Sequence, residues 1–314
     1  MNGHHTVEQE HLNKRVDVYL AEKYPECSRG FFQRQIKTGN VLVNDKRIDP
    51  AFRLTTGAVV TITLPEKLPD APIYPGRRLD PGLLDVIYED DCIIIINKPA
   101  GMSVHPPGYA SGTGTGIVPD EGYRRPGMPT LVEILGQGYY LVHRLDKDTS
   151  GVIIAAKTPQ AQFAISKQFK NREVRKTYLG IVCGRIEEKK GIIKSHLSRS
   201  PVGGRKIKVG FGRESITEFE VLKRMDALTL VKIHPVTGRT HQIRVHFASI
   251  KHPIAGDKLY GQGAQGEGRH LLHAWKIQFV HPGSRRIREW TAVLPPDFLA
   301  VCSLAGYPLS LRTE

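Results

Sequence analysis

The chain has 314 residues and a formal net charge of +14 at pH 7, and 40% of its residues are hydrophobic. This length is sufficient to bury a sizeable core in more than one domain, and the apolar content excludes a disordered chain. The positive charge favours a polyanionic partner, nucleic acid before an anionic membrane, although a soluble protein that is merely basic would show the same charge.

The apolar runs and the cysteines exclude further classes of protein. The longest apolar runs, such as residues 92–96, are too short to span a bilayer, and residues 1–10 form a polar N-terminal tail without an apolar signal core. The four cysteines are scattered without a Cys-x-x-Cys pair, which argues against a zinc site or a disulfide framework. We therefore expect a cytoplasmic monomer that binds neither a metal nor a membrane.

Residues 11–65 predict a small basic module of two helices and two short strands. Ser28 is placed to cap the second helix, and Gly39 is placed to end it. The pattern Arg-x-Asp-x-x-Leu…Ser-Arg…Ile-x-x-Gly-x-Val-x-Val-Asn resembles the S4 RNA-binding domain. The resemblance implies a basic surface for RNA phosphates, whereas the plainer interpretation is two short helices with solvated charges. The cations of this surface are Arg15, Arg29, Arg34 and Lys37.

Residues 66–82 are rich in proline and predict an extended linker to a second domain at 83–314. An apolar strand-like run in that domain ends in Asn-Lys-Pro-Ala-Gly, which favours a sharp turn after Lys98. Lys98 can line a cleft and bind substrate, or it can be a surface lysine at a strand end. Residues 107–129 are rich in Gly and Pro, and we interpret them as a mobile insertion.

A polar segment, His143-Arg144-Leu145-Asp146-Lys147-Asp148-Thr149-Ser150-Gly151, lies between two apolar runs. It predicts a turn that presents side chains to a cleft, although an ordinary solvated turn has the same pattern. The segment resembles the central motif of the RluA family of pseudouridine synthases, His-Arg-Leu-Asp-x-x-Thr-Ser-Gly. The resemblance implies that Asp146 is the catalytic aspartate, and His143 and Arg144 are candidate substrate contacts.

The segments after this motif alternate between helix and strand patterns. Residues 159–170 predict a helix and residues 176–182 a strand, in which the Lys-x-Tyr element resembles the second motif of the family. This resemblance implies that Tyr178 is the active-site tyrosine; the alternative is a packed strand tyrosine. Residues 192–213 predict a basic hairpin or loop against a phosphate backbone, or simply a solvated loop.

Residues 237–246 match a third family motif, Thr-Gly-Arg-Thr-His-Gln-Ile-Arg-x-His. Thr240 is placed to cap a helix here. The resemblance implies that Arg244 lies beside the catalytic aspartate, where a surface ion pair is the alternative, and Arg239 and His241 are candidate RNA contacts. His241 and His246 are five residues apart, so they do not share a helix face as metal ligands would.

One further motif suggests a dinucleotide-binding site, but its surroundings in the sequence argue against that interpretation. Residues 261–266 spell Gly-x-Gly-x-x-Gly, the dinucleotide fingerprint. No apolar strand precedes it, no helix pattern follows it, and no acid stands about twenty residues further on. We therefore interpret it as a flexible loop.

Together these resemblances imply an α+β fold: a mixed, largely antiparallel sheet with flanking helices, preceded by a small α+β S4-like domain. They imply an RNA pseudouridine synthase, an isomerase in which a flipped uracil detaches at its glycosidic bond, rotates and reattaches through carbon. No cofactor is implied, because the reaction is redox-neutral. The motif order most resembles the large-subunit branch, so the expected partner is 23S-type ribosomal RNA or a pre-ribosomal particle. Transfer RNA and small-subunit targets stay open.

The chemistry requires one ionised carboxylate in a partly dry cleft, acting as nucleophile or as base at the sugar. A nearby Arg244 would favour that ionised form, and Tyr178 would stack on the flipped base and take part in the final proton removal. A glycosidase-like pair of Asp146 and Asp148 is disfavoured, because two acids in one turn fix no particular separation. A non-catalytic RNA-binding assembly factor is disfavoured by the complete Asp, Tyr and Arg set.

Overall fold

The computed structural model describes residues 2–24, 29–63, 82, 84–106, 129–199, 206–261 and 268–304. These residues form two compact units: an N-terminal unit of residues 2–63, with which 105–106 and 135–138 are grouped, and a larger unit that holds the rest. Ser28, nearly all of the expected linker and insertion, and most of the dismissed glycine motif lie outside the described residues. Within those residues, no helix is both long and apolar enough to cross a membrane.

The N-terminal unit packs two helices on a small antiparallel sheet with the strand order β1-β4-β2-β3. Its elements are β1 (Asn2–Thr6), α1 (Val16–Lys23), α2 (Arg29–Thr38), β2 (Val41–Val43), β3 (Lys46–Arg47) and β4 (Val59–Thr63). Apolar side chains spaced three or four residues apart along both helices are buried in its core, among them Val16, Leu20, Phe32 and Ile36. Gly39 follows α2 with φ +84°, as expected of a glycine that ends a helix.

Residues 2–6 are not a tail, as the polar N-terminal sequence suggested. They form β1, which pairs antiparallel with β4 so that His4 lies opposite Thr61. The physical reason is that the outer edge of β4 would otherwise expose unpaired backbone N–H and C=O groups, and a polar segment can satisfy these as well as an apolar one.

The larger unit is built on one mixed sheet with flanking helices. In the described residues its strands follow the order β11-β10-β12-β13-β9-β14-β8-β6-β5, with β15 paired to β14 and β7 to β8. The strands are β5 (Asp85–Glu89), β6 (Ile93–Lys98), β7 (Tyr140–Leu141), β8 (Ser150–Ala156), β9 (Arg175–Cys183), β10 (Lys190–Arg199), β11 (Ile207–Val209), β12 (Arg213–Arg224), β13 (Leu228–Pro235), β14 (Leu272–Val280) and β15 (Ile287–Thr291). The helices are α3 (Leu131–Leu135), α4 (Pro159–Asn171), α5 (Gln242–Ser249) and α6 (Pro296–Leu304).

The pairing pattern confirms the expected fold class. Among the described strands β14 and β8 pair in parallel, and the other pairs are antiparallel. Strand β8 is buried along its whole length and β6 nearly so, which explains why both are continuous apolar runs rather than alternating ones. Thr158 caps the start of helix α4: its hydroxyl accepts a 3.1 Å hydrogen bond from the Ala161 N–H. Pro159 follows at the first helical position.

Gly151 joins the polar segment of the central motif to β8 at a place where the backbones crowd. It has φ +110°, and a Cβ atom there would lie 2.2 Å from the Ala274 carbonyl oxygen of β14. A glycine is therefore required for β8 to approach β14, and that approach fixes the polar segment against the sheet.

We expect Gly151→Ala to destabilise the protein by about 3 kcal/mol, because backbone strain adds to a clash that no side-chain rotation relieves. Gly101→Ala is the matched control, since Gly101 also has a positive φ of +85° but open space around its Cβ position. Urea unfolding of both variants measures the difference. Equal losses of unfolding free energy would show that the close approach to Ala274 is unimportant.

Candidate active site

Three charged side chains meet at the centre of the larger unit. The Arg244 guanidinium donates from Nη1 to Asp146 Oδ2 at 3.0 Å, and from Nε and Nη2 to the two Asp257 oxygens at 2.7 and 2.9 Å. Asp257 is almost completely buried, whereas 18% of the Asp146 side chain is exposed. Arg244 thus joins a buried carboxylate to one that a substrate can reach.

These contacts keep Arg244 and Asp257 charged. Burial alone would lower the pKa of Arg244, but its bonds and its proximity to Asp257 and Asp146 outweigh burial and raise that pKa. Burial alone would raise the pKa of Asp257, but Arg244 and the N–H groups of Leu259 and Tyr260 hold it below its ordinary value. The bidentate contact with Asp257 also fixes the orientation of the guanidinium towards Asp146.

Lys98 lies beneath the turn that carries Asp146 and not at the cleft surface. Its ammonium is fully buried and donates to the carbonyl oxygens of Pro99, Met102 and Lys147 at 2.9 to 3.0 Å. Burial lowers its pKa to about 7, and three carbonyl acceptors match the three N–H donors of an ammonium. The interpretation of Lys98 as a substrate-binding residue is therefore wrong, because its charged end is enclosed by backbone.

Two buried histidines hold the other side of the same turn. Thr149 Oγ1 lies 2.8 Å from His270 Nε2, and Ser150 Oγ lies 2.9 Å from His273 Nδ1. Burial lowers the pKa of both histidines to about 4, so they are neutral hydrogen-bond partners near pH 7. Neither histidine was expected at the site, because each lies more than a hundred residues along the chain from its partner.

Helix α5 presents Arg244 to the turn, and its start differs from the expectation. The residue that precedes the helix is His241, with φ +54°, and not Thr240. The Gln242 side chain secures this end, since its Oε1 accepts bonds from the Thr237 hydroxyl at 2.7 Å and from the Arg239 N–H at 3.0 Å. His246 is buried and bonded to serine and threonine hydroxyls, which supports the structural interpretation of that histidine.

His241, a candidate RNA contact from its motif, lies beside Asp146. Its Nε2 is 3.8 Å from Asp146 Oδ1, and its Nδ1 is 2.8 Å from Tyr260 Oη. Tyr260 Oη in turn accepts the Ile207 N–H, so its own proton is available to His241 Nδ1. Burial lowers the pKa of His241 below its ordinary value.

Tyr178 and Lys176 share one face of β9, two residues apart. Burial and the nearby charge of Asp146 raise the pKa of Tyr178 above its ordinary value, so the phenol is neutral. Lys176 was not among the expected site residues, although its spacing from Tyr178 along a strand could have revealed it. Burial lowers its pKa to about 8, and its Nζ lies 3.8 Å from a Cβ built on Gly238 of the third motif.

The remaining expected substrate contacts in the larger unit have different surroundings. His143 Nε2 accepts the Ile154 N–H at 3.0 Å, and its ring stacks on Phe169 at 5.0 Å between centroids, so we assign it to the fold and not to substrate binding. Arg144 is exposed. Arg239 is half-buried, and burial followed by the charges of Arg213 and Arg172 lowers its pKa, which favours an anionic ligand there.

The expected RNA-binding cations of the N-terminal unit are not equivalent. Arg15 and Arg29 both bond the buried Asp17 carboxylate, at 3.0 and 2.9 Å, yet 36% and 49% of their side chains are exposed. Lys37 is exposed. The Arg34 side chain lies outside what the structure describes. Arg15 and Arg29 therefore stabilise the unit and still present N–H groups to solvent.

In the larger unit one reachable carboxylate, a fixed arginine and a neutral phenol lie near one another. Such a set can stabilise a charged intermediate at a sugar and hold a planar base. Among the described residues no group of three His, Cys, Asp or Glu side chains could hold a metal ion.

Comparisons with known proteins agree with this geometry. Residues 92–249 match the RNA pseudouridylate synthase family, and residues 14–60 match the S4 domain. Ribosomal large subunit pseudouridine synthase D of Neisseria meningitidis serogroup A is 35% identical to this chain, covering 98% of it and 84% of the relative. Ribosomal large subunit pseudouridine synthase C of Haemophilus influenzae is 36% identical over 94% of this chain and 92% of its own length.

A solved structure, human RNA Pseudouridylate Synthase Domain Containing 1, has a TM-score of 0.53 and 24% identity, covering 74% of this chain and 97% of its own. That likeness shows the fold. Fold, motifs and relatives together define an RNA-modifying isomerase with an S4 domain. The chain belongs to the RNA pseudouridylate synthase family.

Proposed function

We propose that this chain converts specific uridines of large-subunit ribosomal RNA to pseudouridine in the cytoplasm, acting as a monomer and without a metal. The observation that carries the proposal is the Arg244 guanidinium shared between the reachable Asp146 and the buried Asp257. The choice of RNA is supported by relatives named as ribosomal large subunit pseudouridine synthases, similar to this chain over nearly its full length.

In this proposal Asp146 acts at the sugar of a flipped uridine, as nucleophile or as base. The bond between C1′ and N1 breaks, the uracil rotates, a bond forms between C1′ and C5, N1 gains a proton and C5 loses one. Arg244 orients the Asp146 carboxylate during these steps and places a positive charge beside it. The neutral Tyr178 ring stacks on the base; as a phenol it is suited to hydrogen bonding, and only as a phenolate could it remove the C5 proton by itself.

The test is tritium release from RNA labelled at uracil C5, because the C5 hydrogen leaves only if pseudouridine forms. We expect release from a large-subunit ribosomal RNA fragment, at sites that lose pseudouridine in cells lacking this protein. Release from transfer RNA alone would redirect the proposal to another substrate. Binding without any release would show a non-catalytic RNA-binding factor.

We expect Lys37→Gln to lower the salt dependence of RNA binding by about one unit of log–log slope without changing stability, because it removes one exposed phosphate contact. Arg29→Gln should lower the slope similarly but also destabilise the N-terminal unit, since it removes a partner of the buried Asp17. Filter binding at several salt concentrations and thermal unfolding separate the two effects. An unchanged slope in both variants would exclude this surface from RNA binding.

A further inference from the structure

Strands β10, β11 and β12 form the antiparallel end of the large sheet, here called the arm, with β11 at the edge. Phe211 lies between β11 and β12 with 88% of its surface exposed. In the described part of the chain no other large apolar side chain is so exposed. The face of this aromatic ring is therefore open to stacking on a ligand.

The turn that presents Phe211 is constrained. Gly210 and Gly212 flank it with φ +138° and +113°, and the Gly210 N–H donates to the His196 carbonyl at 2.9 Å. A Cβ atom on Gly212 would lie 2.3 Å from the Leu197 carbonyl oxygen, so only glycine allows this close approach to β10. The ring is thus carried on a fixed backbone next to a paired strand.

Cations outnumber acids in the sequence around the ring. Lys206, Lys208 and Arg213 are exposed, and residues 206–213 contain no carboxylate; Glu214 follows immediately after them. Exposed cations beside an exposed aromatic ring match single-stranded nucleic acid, in which phosphates alternate with bases that have open faces.

Strand β11 of the arm is linked to the candidate active site by hydrogen bonds and apolar packing. The Ile207 N–H of β11 donates to Tyr260 Oη at 2.9 Å, and Tyr260 bonds His241, whose Nε2 is 3.8 Å from Asp146. Leu197 and Ile207 also pack against Val245 of α5, next to Arg244. Phe211 lies four residues beyond Ile207, a chain length of at most about 14 Å. A nucleotide near the target uridine is therefore within reach of the arm.

We propose that Phe211 stacks on an unpaired base of the substrate RNA near the target uridine, while Lys208 and Arg213 contact the adjacent phosphates. The proposal rests on RNA being the substrate. In this proposal the arm contributes to recognition of the RNA and takes no part in the chemical step. An apolar protein partner is the competing occupant, and the charge of residues 206–213 disfavours it.

The test measures binding of the full-length protein to a uridine-containing ribosomal RNA fragment, and conversion of the same fragment is assayed in parallel. Phe211→Ala should weaken binding roughly 5- to 150-fold, which corresponds to the loss of one stacked base. Phe211→Trp should retain the affinity, and its added fluorescence should be quenched by RNA. Phe211→Leu should behave as Phe211→Ala, because an aliphatic side chain cannot stack.

Two controls separate stacking from charge and from general surface effects. Lys208→Gln should lower the salt slope by about one, whereas Phe211→Ala should leave it unchanged. Ile192→Ala removes an apolar side chain that is 59% exposed at the other end of β10, and should not alter binding. Wild-type affinity in Phe211→Ala or in Phe211→Leu would overturn the proposal. If the wild type binds but does not convert the RNA, the proposed function fails while these binding comparisons still decide the role of Phe211.

Discussion

Asp146→Asn should reduce single-turnover conversion of a ribosomal RNA fragment by at least about 10⁴-fold, the size of effect seen when a reacting side chain is removed. Asparagine is nearly isosteric with aspartate but can act neither as a nucleophilic carboxylate nor as a base. The fold should survive, because Arg244 keeps its bidentate contact with the buried Asp257. RNA binding should be retained or slightly tightened, since one negative charge leaves the cleft.

Asp148→Asn is the matched control, two residues along the same turn. Its backbone carbonyl accepts a 3.0 Å bond from Arg269 Nη1, a contact that the substitution leaves in place. We expect substantial activity in this variant, with circular dichroism and filter binding confirming that both variants fold and bind RNA. An equal collapse of both would favour a two-acid mechanism, and near wild-type turnover in Asp146→Asn would remove Asp146 from the chemistry.

The sequence predicted an element well where the spacing of its apolar residues matches the pattern of its buried side chains. Strand β6 and helix α4 follow directly from an apolar run and from a capped amphipathic segment. Strand β1 was missed because residues 2–6 are polar and owe their conformation to the free edge of β4. The order of the strands in the large sheet depends on pairings between distant segments, which no local period encodes.

The candidate active site also combines residues that the sequence motifs predicted with contacts that they did not predict. The motifs predicted Asp146, Tyr178 and Arg244 as site residues, and the structure brings Arg244 to 3.0 Å from Asp146. They did not identify Asp257 as the second partner of Arg244, and they left Lys98 either lining a cleft or exposed at a strand end. The pairing of Arg244 with Asp257 and the enclosure of Lys98 both depend on burial, which follows from tertiary packing and not from residue type. A lysine after an apolar strand is ordinarily exposed, and here three backbone carbonyls enclose it.

Arg244→Met should lower single-turnover conversion by about 10²- to 10³-fold and unfolding free energy by about 3–5 kcal/mol. The catalytic loss is expected because Asp146 loses the cation that orients it. The loss of stability has another source: Asp257 is left as a buried carboxylate without its cation. Urea unfolding and the RNA conversion assay measure the two effects independently, but the single variant cannot show whether the loss of rate merely follows from a weakened fold.

The double variant Arg244→Met, Asp257→Asn answers that question. Replacing Asp257 with a neutral amide removes the unpaired buried charge, while the N–H groups of Leu259 and Tyr260 keep an oxygen acceptor at 2.9 and 3.1 Å. We therefore expect unfolding free energy to recover partly, because the costly term in the single variant is the isolated charge. Conversion should not recover, because Asp146 still lacks its cation. If activity returned together with stability, Arg244 would serve the fold alone, and the pairing with Asp146 would have no role in catalysis.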